Sequence, residues 1–146
     1  MSEFFALGPN RVSIIARGQD TDGGYSVVQW VMAPPPAPGP PRHRHGREHE
    51  ALIVLEGALD AIVEDCARRL GPGEFLFVPR HTWHTVSNPG PEPARFLVLL
   101  SPPGFERFWE NMAALLGENP DPDPATVLEL QRQHGMETAG AGRRFN

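Results

Sequence analysis

Lysine is absent from this sequence of 146 residues, and all 13 of its positive charges are carried by arginine. Without lysine the chain cannot form a Schiff base with a carbonyl substrate and has no lysine general base. Its 18 acidic residues give a formal net charge of −5. Because proteins that bind nucleic acid usually present a basic face to the phosphates, this balance argues against a nucleic-acid partner.

Cysteine and long apolar runs are also scarce. Cys66 is the single cysteine, so no disulfide can form within the chain, and its isolation indicates a reducing compartment. Its surroundings are polar and turn-like, which favours a spectator over a catalytic thiol. No apolar run approaches the roughly 20 residues that cross a bilayer, and the N-terminus lacks the pattern of a signal peptide. We therefore expect a cytoplasmic protein without a membrane partner.

Short strands dominate the middle of the chain. From Glu50 to Leu100, short apolar runs are separated by turns rich in glycine and proline, which is typical of a β-sandwich or β-barrel. The proline-rich stretch 33–41 cannot pair as a central strand, because proline donates no backbone hydrogen bond. Too few residues precede it to form a domain, so we interpret it as a stiff, extended approach to the site. We expect one domain, 1–146, with its barrel at about 10–101.

The apolar period changes beyond the barrel. Apolar residues then follow the spacing of one helical face: Phe105, Phe108, Trp109, Met112, Leu115 and Leu116. Asp123 and Pro124 are a suitable N-cap and first-turn pair for a second helix, which Gly135 would end. The sequence predicts helices at about 104–135, with the apolar stripe packed on the barrel's outside or over one open end. A disordered tail is expected over 136–146.

Five of the six histidines lie between positions 43 and 84. His43 and His45 alternate along an extended segment, so both imidazoles point to the same side. Glu50 lies on the inward face of the next strand, where a carboxylate is costly unless a cation or strong donors compensate it. A later Pro-led turn brings His84 back toward the barrel. Three imidazoles and one carboxylate form a ligand set that suits one Fe, Ni, Mn, Co, Cu or Zn ion.

The spacing of these residues resembles the first motif of the cupin superfamily. That motif reads His-x-His, three or four residues, Glu, six residues, Gly, and it is matched by His43, His45, Glu50 and Gly57. The resemblance implies an all-β cupin barrel, also called a double-stranded β-helix or jelly roll. Together with the predicted helices, the expected fold is this barrel with a short two-helix C-terminal extension.

The second cupin motif, Gly-x5-Pro-x-Gly-x2-His-x3-Asn, is matched by Gly73, Pro79, His84 and Asn88. The sequence departs from it at His81, where the family has glycine. A positive φ is costly for histidine but not forbidden, so the departure concerns the backbone of the turn rather than the ligand. It also suggests that His81 lies near the rim of the site.

The layout beyond the barrel is similar to that of single-domain cupins related to the flavonol (quercetin) dioxygenases. This resemblance implies a dioxygenase acting on an enolisable or phenolic small molecule, with Glu50 as both ligand and proton acceptor. Two alternatives remain open. One is a metal-dependent isomerase or cyclase without redox chemistry, and the other is a cupin that binds a small molecule without turnover. Because cupin barrels commonly pair through their sheets, the resemblance also implies a homodimer.

The pocket wall is less well defined by the sequence than the ligands are. Phe75 and Phe77 share one face of a strand and Leu76 and Val78 share the other, so one of the two pairs must face inward. We expect the wall to consist of the following residues: Leu52, Val54, Phe75, Phe77 and Trp83. Ordinary core packing is an equally good interpretation of these side chains. His49 neighbours Glu50 on the opposite strand face, which favours solvent or an interface over ligation.

Overall fold

A computed structural model describes residues 3–140 of the chain. Its strands bury alternate side chains. In β3 (Ser26–Met32) every second side chain is buried, and the same alternation recurs through most of β10 (Ala94–Ser101). Such a strand has one face for the core and one for solvent, so it can pair on both edges while covering a single core. The remaining strands are β1 (Phe5–Leu7), β2 (Asn10–Ala16), β4 (His43–His45), β5 (His49–Glu56), β6 (Leu59–Val63), β7 (Cys66–Leu70), β8 (Phe75–Val78), β9 (His84–Ser87) and β11 (Met136–Thr138).

Two antiparallel sheets are formed by these strands. One has the order β1-β2-β3-β10-β5-β8 and the other has the order β11-β4-β9-β6-β7. The core between them is apolar and draws on both: Val12, Val28, Leu52, Val54 and Phe96 come from the first sheet, and Leu59, Leu70 and Val86 from the second. The mostly β fold with a jelly-roll arrangement confirms the fold class predicted from the sequence.

The two helices follow the barrel, as predicted. α1 (Glu106–Glu118) and α2 (Pro124–Gln133) are followed by the strand β11. The Asp123 side chain accepts a hydrogen bond from the amide of Ala125 at 2.9 Å, and Gly135 follows α2 with a φ of 71°. Among residues 3–140, neither helix is long and apolar enough to cross a membrane.

A paired guanidinium and carboxylate attach α1 to the barrel. Arg17, which follows β2, donates from Nη1 and Nη2 to the two carboxylate oxygens of Glu110, at 3.0 and 2.6 Å. The apolar stripe of α1 also packs on the barrel. Its Trp109 contacts Trp30 edge-on, with ring centroids 5.4 Å apart. The stripe therefore packs against the core of the barrel.

The expected disorder does not begin at residue 136. Met136, Glu137 and Thr138 pair with His45, Arg44 and His43, respectively. The pairing continues at both ends, because the amide of Gly46 donates to the carbonyl of Gly135 and that of Ala139 donates to the carbonyl of Arg42, at 2.8 and 2.9 Å. Three residues carry too little pattern to predict a strand. The rest of the expected tail, 141–146, lies outside the described residues.

Candidate metal centre

Strand β4 supplies two of the candidate ligands. His43 and His45 are buried at 7% and 3% relative exposure, and Arg44 between them points outward. The guanidinium of Arg44 lies 4.5 Å from the ring centroid of Trp83 and is bonded to Glu137. An extended backbone thus places both imidazoles on the inner face of the sheet.

The third imidazole reaches the same point from β9. His84 is the first residue of that strand and pairs directly with His43. The preceding turn contains His81 with a φ of 69°, so this position keeps the left-handed backbone that glycine adopts readily. The amide of His81 donates to the carbonyl of His45 at 2.8 Å, which joins the turn to the ligand strand. The side chain of His81 itself is exposed.

Glu50 comes from the other sheet. Its Oε2 lies 3.2 Å from Nε2 of His45 and 3.1 Å from Nε2 of His84. One nitrogen from each of the three histidines lies within 4.8 Å of the others. Donors that bind one ion at about 2.1 Å stand roughly 3–3.5 Å apart, and the two distances from Glu50 match this spacing. The structure therefore brings together the four side chains predicted as ligands.

Backbone carbonyls fix the orientation of two of the rings. Nδ1 of His43 lies 2.7 Å from the carbonyl of Pro41, and Nδ1 of His84 lies 2.9 Å from that of Thr82. Because a carbonyl only accepts, each Nδ1 donates its proton there, and Nε2 is the nitrogen that is left to bind an ion. Metal-bound histidines usually have this second hydrogen bond, so the donor set fits a transition metal.

The electrostatics of the cluster favour a positive charge next to Glu50. Burial, together with the charges of His84 and His45, lowers the pKa of His43 to about 3, so this ring is neutral near pH 7. Burial opposes ionisation of Glu50, but hydrogen bonds from His45 and His84 outweigh it and hold the pKa of the carboxyl below its usual range. Burial likewise opposes the charge on His84, yet its bond to Glu50 raises its pKa. A divalent ion would supply the same positive charge.

Comparison with known proteins agrees with this geometry. Residues 29–100, from within β3 to within β10, match the family model for the cupin domain. The barrel has the cupin fold. The chain matches no curated protein.

Solved structures share the cupin fold. KdgF from Halomonas sp. is 23% identical, with 72% of this chain and 90% of that one covered and a TM-score of 0.63. An RmlC-like cupin from Shewanella frigidimarina is 20% identical, with coverages of 73% and 89% and a TM-score of 0.60. The polyketide cyclase RemF from Streptomyces resistomycificus is 27% identical, with coverages of 62% and 63% and a TM-score of 0.53.

The last residue of the second cupin motif has a structural role. Asn88 is buried, and its Nδ2 donates to the carbonyls of Met32 and Glu92 at 3.0 and 2.8 Å. Its Oδ1 accepts the amide of Gly90 at 2.7 Å. One amide side chain thus holds the turn after β9 against the end of β3.

A cavity of about 430 Å³ extends from the ligands into the cupin barrel. Its lining is mostly apolar and includes Trp30, Met32, Leu52, Val86, Phe96, Val98, Phe105, Phe108, Trp109, Met112, Leu116 and Met136. Residues 38–41 of the proline-rich stretch also line it, in agreement with the predicted approach to the site. Of the predicted wall, Leu52 lines this cavity, whereas Val54 is fully buried in the core beside it.

The prediction that Phe75 and Phe77 line the pocket is wrong. They are 51% and 49% exposed and lie on the outer face of the barrel. In the register of β8 with β5, Leu76 pairs with Leu52 and Val78 pairs with Glu50, so Leu76 and Val78 face inward. Both faces of this strand are apolar, so the sequence alone did not distinguish them.

Two further positions differ from the predicted pocket and rim. Trp83 is not part of the cavity lining and packs under the Arg44 guanidinium outside it. His81 is likewise absent from the lining. His49 faces away from the ligands, as the strand parity predicts, and its Nδ1 accepts the amide of Arg80 at 2.9 Å.

The C-terminal helices contribute cavity residues that sequence reasoning missed. Phe105, Phe108, Trp109 and Met112 all line the cavity, although their helical spacing was interpreted only as packing. Gln131 of α2 lines it as well, with its Oε1 accepting the hydroxyl of Thr138 at 2.8 Å. The apolar stripe was the only sequence feature that could have indicated these lining residues. Its side chains both pack on the barrel core and line the cavity.

Proposed function

We propose that this cupin is a metal-dependent enzyme acting on an enolisable, phenolic or polyketide-like small molecule. The observation that carries the proposal is the convergence of His43, His45, Glu50 and His84 at an apolar, aromatic-lined cavity. Small-molecule sites commonly combine such apolar walls with a few polar groups or a metal.

The lining supports a substrate that is mostly apolar. Apart from the four candidate ligands, the lining residues among 3–140 whose side chains carry nitrogen or oxygen are Asn10, Trp30, Trp109 and Gln131. The side-chain Oδ1 of Asn10 already accepts a hydrogen bond from the backbone amide of Ala33 at 2.9 Å. No arginine of the described chain lines the cavity, and the sequence has no lysine, so a phosphorylated substrate would find no guanidinium or ammonium group there.

The four side chains would hold one Fe, Ni, Mn, Co, Cu or Zn ion, which would supply Lewis-acid chemistry that lowers the pKa of a bound hydroxyl or enol. Four protein donors leave room for a substrate oxygen. We assign to Glu50 the role of proton acceptor, because its carboxylate is ionised and faces the cavity. The aromatic walls would exclude water from the reacting group.

For the reaction itself we propose dioxygenation. Support comes from the Ser-Pro-x-Gly-Phe-Glu-x-Phe segment, which carries the resemblance to the flavonol dioxygenases and whose Phe105 and Phe108 line the cavity. Ring closure or isomerisation without oxygen is the second candidate, and the likeness to the polyketide cyclase RemF favours it.

Oxygen dependence separates these reactions. Purified protein would first be assayed for bound metal by elemental analysis. Consumption of oxygen in step with a flavonol or a catechol supports dioxygenation. Turnover of a polyphenolic substrate at the same rate under argon supports the cyclase or isomerase alternative instead. A protein that binds none of the six metals contradicts the proposal as a whole.

We also propose that the chain forms a homodimer through the outer face of the six-stranded sheet. Ile53 pairs with Phe75 and Ala51 pairs with Phe77 across β5 and β8, and Leu99 pairs with Ala51 on the other side. Exposed apolar side chains that adjoin in this way are typical of a protein interface. The proposed location is the cytoplasm, which suits the exposed, unpaired Cys66.

A further inference from the structure

His45 differs from the other two histidines of the site in what its second nitrogen meets. Nδ1 of His43 and of His84 each donate to a backbone carbonyl. Nδ1 of His45 is buried and, within residues 3–140, has no hydrogen-bond partner. The nearest carboxylate oxygen is Oε1 of Glu48, at 4.0 Å, and that oxygen is also buried without a partner. Two unsatisfied polar atoms of complementary character therefore face each other.

The backbone around Glu48 is fastened on both sides. The amide of Gly46 is bonded to the carbonyl of Gly135, and the carbonyl of Arg47 accepts Nε of Arg80 at 2.9 Å. The Arg47 guanidinium donates to the carbonyl of Gln133. Glu48 itself is only 5% exposed, although its charge would favour solvent. The loop thus keeps this carboxylate behind the His45 ring.

Glu48 lies next to Nδ1 of His45, on the opposite side of the ring from the nitrogen that faces Glu50, so it is not itself a candidate ligand. The Nε2 of His45 faces Glu50, whereas Glu48 Oε1 faces Nδ1. The two ring nitrogens point in different directions, so a group that meets Nδ1 stands behind the ring when Nε2 binds an ion. A hydrogen bond between Nδ1 and Glu48 would therefore act on an ion through the His45 ring.

We infer that Glu48 is a positioning residue: its carboxylate accepts the Nδ1 proton of His45 and so holds Nε2 toward the metal. The inference rests on the metal centre proposed above. A movement of about 1 Å would bring the two atoms from 4.0 Å into hydrogen-bonding range. Carboxylates in this position fix the tautomer of a metal-bound histidine and strengthen it as a ligand.

Charge gives the arrangement a second consequence. Glu50 and Glu48 together carry two negative charges, which balance one divalent ion in a site where uncompensated charge is costly. The substitution Glu48→Gln keeps the shape of the side chain but removes one of those charges. It should therefore weaken the binding of a divalent ion even if the fold is unchanged.

Zinc affinity tests the inference. Wild-type protein and Glu48→Gln would be stripped with EDTA and titrated with Zn²⁺ against a competing chelator. We expect the variant to bind Zn²⁺ about 10- to 100-fold more weakly. In ¹⁵N-edited NMR spectra of the zinc-loaded proteins, the Nδ1-bound proton of His45 should move upfield in the variant, because its charged acceptor is lost.

A matched control is the buried carboxylate of Glu106, which accepts the amide of Gly104 at 2.8 Å and does not line the cavity. Glu106→Gln should keep the wild-type zinc affinity within about twofold. Glu48→Asp, which retains the charge, should bind zinc more tightly than Glu48→Gln and provides a second variant if the Gln protein does not fold.

The outcomes separate the inference from the proposal beneath it. Wild-type protein that binds no Zn²⁺ overturns the metal centre and the role of Glu48 together. Wild-type and Glu48→Gln proteins with equal zinc affinity overturn the role of Glu48 alone. A lower melting temperature of the metal-free variant with unchanged zinc affinity would mean that Glu48 is only structural, and this also overturns the inference.

Discussion

Met136 pairs directly with His45, although 91 positions separate them in the chain. The ligand strand β4 has only three residues, and on its other edge a single pair, His43 with His84, joins it to β9. Most of its ladder therefore comes from β11. The end of the described chain thus helps to position two of the candidate ligands.

Truncation before Met136 should loosen the ligand strand. Deleting residues 136–146 removes the pairing of β11 with β4, and each lost backbone bond contributes about 1 kcal/mol. We expect Zn²⁺ binding to weaken about tenfold or more, measured by chelator competition. A control chain ending at Gly140 keeps β11 and should bind zinc as the full chain does. Equal zinc affinity of both truncated chains would contradict the role of β11.

Substitution Glu50→Gln separates proton transfer from ligation. The three imidazoles should still hold the ion at saturating metal, while turnover should fall about 100-fold or more because the proton acceptor is gone. The measurements are metal content and turnover on the same sample. Glu56→Gln, an exposed carboxylate on the same strand, is the control and should leave both unchanged. If the Glu50→Gln protein binds no metal, the experiment shows only that Glu50 is a ligand and gives no support to its role as proton acceptor.

Asn88 should contribute measurably to stability. Asn88→Ala removes three hydrogen bonds in a buried turn and leaves their backbone partners unsatisfied, which should lower the free energy of unfolding by about 2–3 kcal/mol. Urea denaturation measures the change. Ser87→Ala, at the exposed neighbouring position, should alter stability by less than about 0.5 kcal/mol. A loss below about 1 kcal/mol in the Asn88 variant would not agree with this role.

The outward phenylalanines should control association. Replacing both Phe75 and Phe77 by Ser removes the most exposed large apolar side chains of the six-stranded sheet, so we expect the dimer to dissociate. Light scattering after size-exclusion chromatography measures the mass. Ile62→Ser changes an exposed apolar residue of the other sheet and should leave the dimer intact. A monomeric wild-type protein would disprove the proposed dimer.

The candidate ligands were accessible from the sequence because their geometry is local. His-x-His places both rings on one side of an extended strand at any register, and the spacing to Glu50 matches a family motif. The turn before His84 could be anticipated in the same way, but the departure from glycine at His81 left the backbone there open, and the structure shows it left-handed with a φ of 69°.

The cavity wall could not be predicted, because it depends on long-range pairing. Strand β8 is apolar on both faces, and only its register with β5 turns Leu76 inward and Phe75 outward. Strand β11 is three residues long, and its partner lies far away in sequence. The helical stripe of α1 was predicted, but nothing in its spacing shows that a cavity lies beneath it.

The four candidate ligands belong to different layers of the fold, since Glu50 comes from the six-stranded sheet and the histidines come from the five-stranded one. An ion bound by all four would therefore cross-link the two sheets. At a free metal concentration 1,000 times the dissociation constant, this ion would raise the free energy of unfolding by about 4 kcal/mol. In a metal-starved cell more of the chain would unfold and reach proteases, so its abundance would follow the supply of its metal.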